Sequence, residues 1–417
     1  MPAVNKVFLL LLIYVISISA QDGTDIPFLN EPLSPQLNGA GAAGTARLND
    51  DPYGFLYNPA HLGRPVKNIE VSAGFYPAKV KWLNDYYIDD SYLKSCAFNA
   101  GYNLAPLLNG TPVSIGIGYA KSEINYSMIT YVPKEIEPSS GENDVDSYEV
   151  YSIGAGYSSI VNIYAGITYK RITTRLDSYY DRNNTTRIKA FDFGVLLSTE
   201  INKLISQPFS FSLNGKTIIP HIYYSLGFTV RNVGDRHYYF DPGSEDPIPQ
   251  TASLGHSIKT DIELNTKCYN AKILSLLYSI NSDDILVKGK GSDTTLQYYN
   301  TLSFQCIMGD IKPFKNLFLG KGGPEVTLHK GFTIEIAEAF IFSAGGVSRA
   351  GKYNNKTSGY GVKLNGILKL VNIPFENKIL DYFIDHVDVQ YFNSDYYTVN
   401  YIKNKYEGVV IKFTNFL

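Results

Sequence analysis

Residues 161–170 read Val161-Asn162-Ile163-Tyr164-Ala165-Gly166-Ile167-Thr168-Tyr169-Lys170. Val161, Ile163, Ala165, Ile167 and Tyr169 form one phase; Asn162, Tyr164, Gly166, Thr168 and Lys170 form the other. A period of two places successive side chains on opposite faces of a strand, so the two faces of this one meet different surroundings. One face is oily and ends in a ring; the other is small, polar or charged.

The same alternation recurs on both sides of that stretch. Val113, Ile115, Ile117 and Tyr119 interleave with Ser114, Gly116, Gly118 and Ala120, and Tyr151, Ile153, Ala155 and Tyr157 with Ser152, Gly154 and Gly156. Further along come Phe191, Phe193, Val195 and Leu197; Ile222, Tyr224, Leu226, Phe228 and Val230; Phe332, Ile334 and Ile336; and Val409, Ile411 and Phe413. Turn signals stand between such segments: Asn109-Gly110, Ser139-Ser140-Gly141, Asp181 to Asn184, Asn281 to Asp284 and Asn354-Asn355-Lys356. Polar stretches at 131–147 and 231–250 read as loops, and 308–326 is irregular. A soluble sandwich also alternates. Here, however, the apolar phase begins or ends in Tyr or Phe, as rings do at lipid–water boundaries. The opposite phase is Gly, Ser, Thr and Asn rather than Lys and Glu, which suits a wet or loosely filled lumen. In hydrocarbon every backbone N–H and C=O needs an internal partner, and a closed barrel is the sheet that supplies one. The expected fold is an all-β, antiparallel transmembrane β-barrel of about fourteen strands.

Composition agrees. The chain has 417 residues, with Lys+Arg 37 against Asp+Glu 39 and a formal net charge of −2. That balance lacks the basic footprint of a nucleic-acid binder. Tyr 34, Phe 22 and Gly 35 with only 18% charged residues favour strands over a helix bundle or a disordered chain. Residues 1–20 pair Lys6 with the apolar run Val7–Ile16 and the small residues Ser17-Ile18-Ser19-Ala20, the layout of a cleaved signal peptide. The run is shorter than the ~20 residues of a spanning helix. The expected organisation is therefore a signal peptide over 1–20, an N-terminal plug segment over 21–66 and a barrel over 67–417, exported to the bacterial outer membrane.

Residues 36–64, QLNGAGAAGTARLNDDPYGFLYNPAHLGR, break the alternation. Gly39, Gly41 and Gly44 formally match G-x-G-x-x-G, but a dinucleotide site needs a preceding strand and a βαβ unit, and Pro32 and Pro35 stand there instead. Small residues at this density let a short helix pack closely against a wall, with Ala42, Ala43, Ala46 and Leu48 as its body. Asn58-Pro59-Ala60 reads as a turn: Pro59 keeps Asn58 out of the helical region, and the Asn58 side chain can bond nearby backbone. In a lumen, Asp50, Asp51 and Asn58 can satisfy the polar groups of such a turn.

Gly39-Ala40-Gly41-Ala42-Ala43-Gly44, then Asp50-Asp51, then Tyr57-Asn58-Pro59-Ala60-His61-Leu62 resembles the opening signature of the PorV/PorQ family within the FadL-like outer-membrane barrels. A second passage, Leu226 to Gly234 ending in Asn232-Val233-Gly234, followed by Pro247-Ile248-Pro249 and Ala252 to Gly255, is similar to that family's mid-chain segment. A third, compositional likeness runs over Phe342–Gly351 and Gly359–Val362. Arg231 departs from the family pattern, and so does the terminal Leu417. The resemblance implies a non-enzymatic barrel that binds or shuttles exported cargo beside type IX secretion components. The alternative it implies is a FadL-like transporter of a hydrophobic ligand. Outer-membrane lipid is a partner in either case.

Nothing in the sequence assembles catalysis, a cofactor or a metal site. His61, His221, His237, His256, His329 and His386 are scattered, and Cys96, Cys268 and Cys306 lack ligand spacing. Cys306 falls on the apolar phase Leu302, Phe304, Cys306, Met308. Ser253 and His256 share a segment, but a spacing of three puts them on opposite faces. Lys170, Asp192, Arg231 and Lys363 fall on the luminal phase and are expected to stabilise the barrel by pairing. The aromatic-rich stretch Asp235–Asp241 is expected to pack on the rim.

Overall fold

A computed structural model describes residues 26–82, 91–126, 145–178, 181–205, 209–213, 216–237, 245–265, 270–289, 296–298, 305–372, 377–397 and 403–415. The expected signal peptide, the Ser139-Ser140-Gly141 turn and Leu417 lie outside the described residues. Fourteen long antiparallel strands close into a barrel. They are β1 (Ile69–Phe75), β2 (Tyr92–Asn103), β3 (Val113–Asn125), β4 (Val145–Tyr157), β5 (Val161–Ser178), β6 (Asp181–Glu200) and β7 (Lys216–Gly234). The second half comprises β8 (Thr251–Asn265), β9 (Asn270–Ile285), β10 (Thr327–Ile336), β11 (Phe340–Arg349), β12 (Tyr353–Lys363), β13 (Val387–Tyr397) and β14 (Lys403–Thr414). Closure is direct: β1 pairs with β2 on one side and β14 on the other, Ala73 facing both Phe98 and Ile411.

The two rims differ. Connections such as Ser158–Ile160 and Ala337–Ala339 are short at one rim, where β1 starts and β14 ends. Long connections, including 76–91 and 286–326, leave the other. In a bacterial barrel short turns face the periplasm and long loops face outward. Between β12 and β13 two helices, α1 (Leu364–Asn372) and α2 (Lys378–His386), sit at the short-turn rim.

The alternation of the sequence is the alternation of the wall. Ile117, Ile153 and Ile163 stand out from the barrel, at 61%, 54% and 52% exposed, while Tyr164, Thr168 and Lys170 of β5 point in and are buried. Exposed aliphatic side chains in such a band belong in hydrocarbon, and lipid supplies their missing neighbours.

Several local expectations are corrected. Asn281 to Asp284 lie inside β9, Asn354 to Lys356 inside β12 and Asp181 to Asn184 inside β6; Asn281 and Asp283 face the lumen, where they meet Thr45 and Arg231. Residues Gln305–Met308 form a helical turn rather than a strand, so Cys306 is not on a barrel face. Asn109 and Gly110 do make the expected turn, both at positive φ.

Candidate functional site: the plugged lumen

Residues 26–64 occupy the lumen. Ser34 caps a single helical turn, Pro35–Asn38, accepting from Leu37 N at 3.0 Å, with Pro35 at the first position where its missing N–H costs nothing. The helix expected over Ala42–Leu48 is not there. Gly41 and Ala42 have φ of 67° and 56°, left-handed values that end any helix, and the chain there is pressed against β10 and β12. Gly41 N donates to Thr357 Oγ1 at 2.9 Å, and Gly41 O meets His329 Nδ1 at 2.8 Å.

Asn58 is fully buried. Its Oδ1 accepts from Ala60 N at 3.0 Å, and its Nδ2 donates to Thr45 O at 2.9 Å and Val195 O at 3.1 Å. One side chain thus starts the 3-10 turn Pro59–Gly63, ties two parts of the plug together and joins them to the wall. His61 Nε2 reaches Gly44 O at 3.1 Å, and Ser225 Oγ of β7 donates to Ala46 O at 2.7 Å. Tyr57 packs on Gly44.

The wall is shaped for this chain. Gly101, Gly116, Gly154, Gly166 and Gly194 stand opposite one another across β2 to β6. They form a continuous glycine row inside the barrel. Backbone of Leu62 and Gly63 lies on Gly116 and Gly156, Pro59 on Gly166, and Asn58 on Gly194, each where a Cβ would stand. Across the lumen Gly331 and Gly345 are likewise paired and seat Ala40 and Gly41. The glycine phase is therefore filled by plug backbone rather than by loose solvent, which corrects the expected wet lumen at this level.

The two adjacent acids meet opposite fates. Burial alone would raise Asp50, but Lys363, Lys412 and Arg64 around it hold its carboxyl well below the usual range. Lys412 lies 3.4 Å from Asp50 and 3.2 Å from Glu70. Asp51, which accepts from Ser34 Oγ and from Tyr53 N, is pushed up to about 6 by burial, against those hydrogen bonds. Burial also lowers His61 to about 4 and raises Glu31 to about 8.

Asn232 stands at a bulge. The β6–β7 register skips between Phe191 and Phe193, and Asn232 has φ 59°. Asp192 accepts from Asn232 N at 2.8 Å; Lys170 Nζ lies 2.7 Å from Asn232 Oδ1 and 2.8 Å from Asp192; and Asn232 Nδ2 donates to Pro249 O at 3.0 Å. Val233 and Gly234 continue the ladder beside Phe191 and Ala190. Arg231 pairs with Asp283 at 3.2 Å, and Lys363 with Glu335 at 3.3 Å. The sequence placed these charges in the lumen; their partners, set by register, were not readable.

A cavity of about 100 Å³ lies on the long-loop side of the plug, bounded by Leu29, Glu31 and Leu33 of the plug and Tyr148, Arg231 and His329 of the wall. A second, of about 380 Å³, lies on the short-turn side, bounded by Arg47, Asp50, Tyr223, Lys272 and Glu335. Ser253 bonds Arg231 inside the barrel, whereas His256 packs between Tyr224 and Tyr278 outside it, so the two are on opposite faces. Among the described residues no His, Cys, Asp and Glu cluster could hold a metal ion.

No protein-family model matches the chain, and no curated protein sequence matches it. Solved structures do. The chain is similar to the Pseudomonas putida toluene transporter TodX, at 8% identity and a TM-score of 0.44 over 94% of this chain and 99% of that one. It is similar to the Ralstonia pickettii toluene transporter TbuX, at 11% and 0.37 over 93% and 98%. A Pseudomonas aeruginosa FadL homologue matches at 9% and 0.38 over 91% and 97%.

Proposed function

We propose that this chain is a FadL-like outer-membrane transport barrel. It admits a small molecule with an apolar body from the long-loop side, and residues 26–64 gate the passage. The observation that carries this reading is the cavity beside Leu29 and Leu33. It lies on the loop side, sets Leu33, Ala42 and Leu56 of the plug opposite the charged Arg231 and Asp283 of the wall, and borders the Asn232 bulge through Lys170 and Arg231. At about 100 Å³ it is smaller than the roughly 150 Å³ of an apolar cavity that takes up benzene. A ligand of useful size therefore displaces the plug, and transport and plug movement are one event.

A second reading, the PorV/PorQ type, draws on a different observation. Plug backbone sits on wall glycines and seals the lumen, so the barrel serves as a rigid holder of loops that bind exported cargo beside type IX secretion components. A cysteine pair at Ala46 and Ser225, with Cys96, Cys268 and Cys306 replaced by serine, separates them. Oxidation locks the plug to β7. Uptake of an apolar probe into proteoliposomes that stops on locking and returns on reduction supports the transporter. Uptake indifferent to the lock removes it. Retrieval of secretion components with the locked barrel from outer membranes then supports the second reading.

A further inference from the structure

Beyond Gln305 the chain that follows β9 lies against the outer wall of the barrel. Ser257 bonds plug backbone inside the barrel and Gly331 meets Ala40 there, so their neighbours His256 and Lys330 face outward. Phe318 stacks on His256 with ring centroids 5.3 Å apart, and Lys330 Nζ donates to Gly320 O at 2.8 Å. Asp310 N donates to Asp284, which is outward by the same alternation. Ile311 and Leu317 are buried against Leu254, Ile280 and Leu328, wall residues that would otherwise face lipid. Buried Asn316 accepts from Lys312 N and donates to Lys321 O at 2.8 Å, which fixes the strap's shape.

The strap's free face has two chemistries. Phe314, Phe318 and Leu319 are exposed, Phe314 to 68%. Lys312, Lys315 and Lys321 are exposed beside them, and residues 311–323 contain no acid. Rings held against the hydrocarbon-facing wall with lysines interleaved match the boundary where acyl chains end and phosphates begin. We propose that residues 311–321 form a binding surface for a phosphate-bearing lipid of the outward leaflet. Lys312, Lys315 and Lys321 hold its phosphate groups, and Phe314, Phe318 and Leu319 lie along its chains. The site is on the wall, outside the lumen, and does not depend on what the barrel carries.

The test uses the full-length exported barrel in nonionic detergent, with bisphosphorylated lipid A or its dephosphorylated form added and retained lipid counted by native mass spectrometry. Wild type is expected to retain the bisphosphorylated form at least about tenfold better, since three lysines attract the phosphates that the dephosphorylated form lacks. The triple variant Lys312→Gln/Lys315→Gln/Lys321→Gln should lose that preference while keeping heat-modifiable gel migration. Equal retention of both lipids by wild type, or an undiminished preference in a folded triple variant, overturns the proposal. Displacement of lipid A by millimolar inorganic phosphate overturns it in favour of a free-anion site. If the triple variant fails to fold, the wild-type comparison and the phosphate competition decide.

Discussion

The side-chain oxygen of Asn58 occupies the space that a methyl group on Gly194 would fill. The same holds for Pro59 on Gly166 and for Thr45 on Gly227 of β7. The wall thus contributes bare backbone, on which the plug sets backbone carbonyls of Pro59 and Thr45 and the side-chain oxygen of Asn58. A plug held by such close approach is selective about its seat: it has one register, and each added atom on the wall opposes it.

Gly194→Val should therefore unseat the plug without unfolding the barrel. Overpacking costs typically about 1–3 kcal/mol when side chains can shift, and here the obstructing groups are a buried amide and a proline ring. Single-channel recording should show a quiet wild type and an open or flickering variant. Gly323→Ala is the control, because nothing stands within 4 Å of a Cβ there. Equal traces for Gly194→Val and wild type would mean that the plug does not rest on this row.

Lys170 and Asp192 pair at 2.8 Å with both side chains almost sealed, at 5% and 0% exposure. Lys170→Met should destabilise the barrel by roughly 3–5 kcal/mol in urea unfolding, because it strands a buried carboxylate. Adding Asp192→Leu should recover part of that loss. Recovery stays incomplete, since Asn232 N then loses its acceptor, at about 1–3 kcal/mol. Strict additivity of the two single losses would refute the coupling.

The wall was legible in the sequence because a strand between lipid and lumen writes its surroundings into every second residue. Val161 to Lys170 predicts β5 and the direction of each side chain correctly. The glycine row was visible as well, as Gly116, Gly154, Gly166 and Gly194 on one phase. Which residue of the N-terminal segment seats on which of these glycines was not, because that depends on contacts between distant parts of the chain. Asn58 was readable as a turn residue from Pro59 beside it. Its bond to Val195 was not, because that depends on register between elements 137 residues apart. The strap over β8 and β9 left no periodic signal at all: Ile311 and Leu317 bury single side chains in an irregular segment.

Plug seating should loosen as the pH rises from about 6.5 to about 8. Between about pH 4 and 8 three groups in the plug, Asp51, His61 and Glu31, titrate differently when seated. Burial raises Asp51 from 3.8 to about 6, so its contribution is full below 3.8 and is lost as the pH climbs to about 6. Burial lowers His61 from 6.5 to about 4, so its contribution is full above 6.5 and is lost as the pH falls to about 4. These windows overlap, and their slopes are opposite and of similar size, so they nearly cancel. Glu31, whose Oε2 is sealed without a hydrogen-bond partner among the described residues, is raised from 4.5 to about 8. Its stabilisation is full below 4.5 and drains away up to about 8, and above 6.5 nothing opposes it. That upper part of the window is worth at most roughly 2 kcal/mol, or about thirtyfold in the unseated fraction. Protease cleavage of the plug should accelerate accordingly between pH 6.5 and 8 in wild type and stay flat in Glu31→Gln, whose amide carries no proton to lose. A rise of the same size in both would place the sensitive group elsewhere.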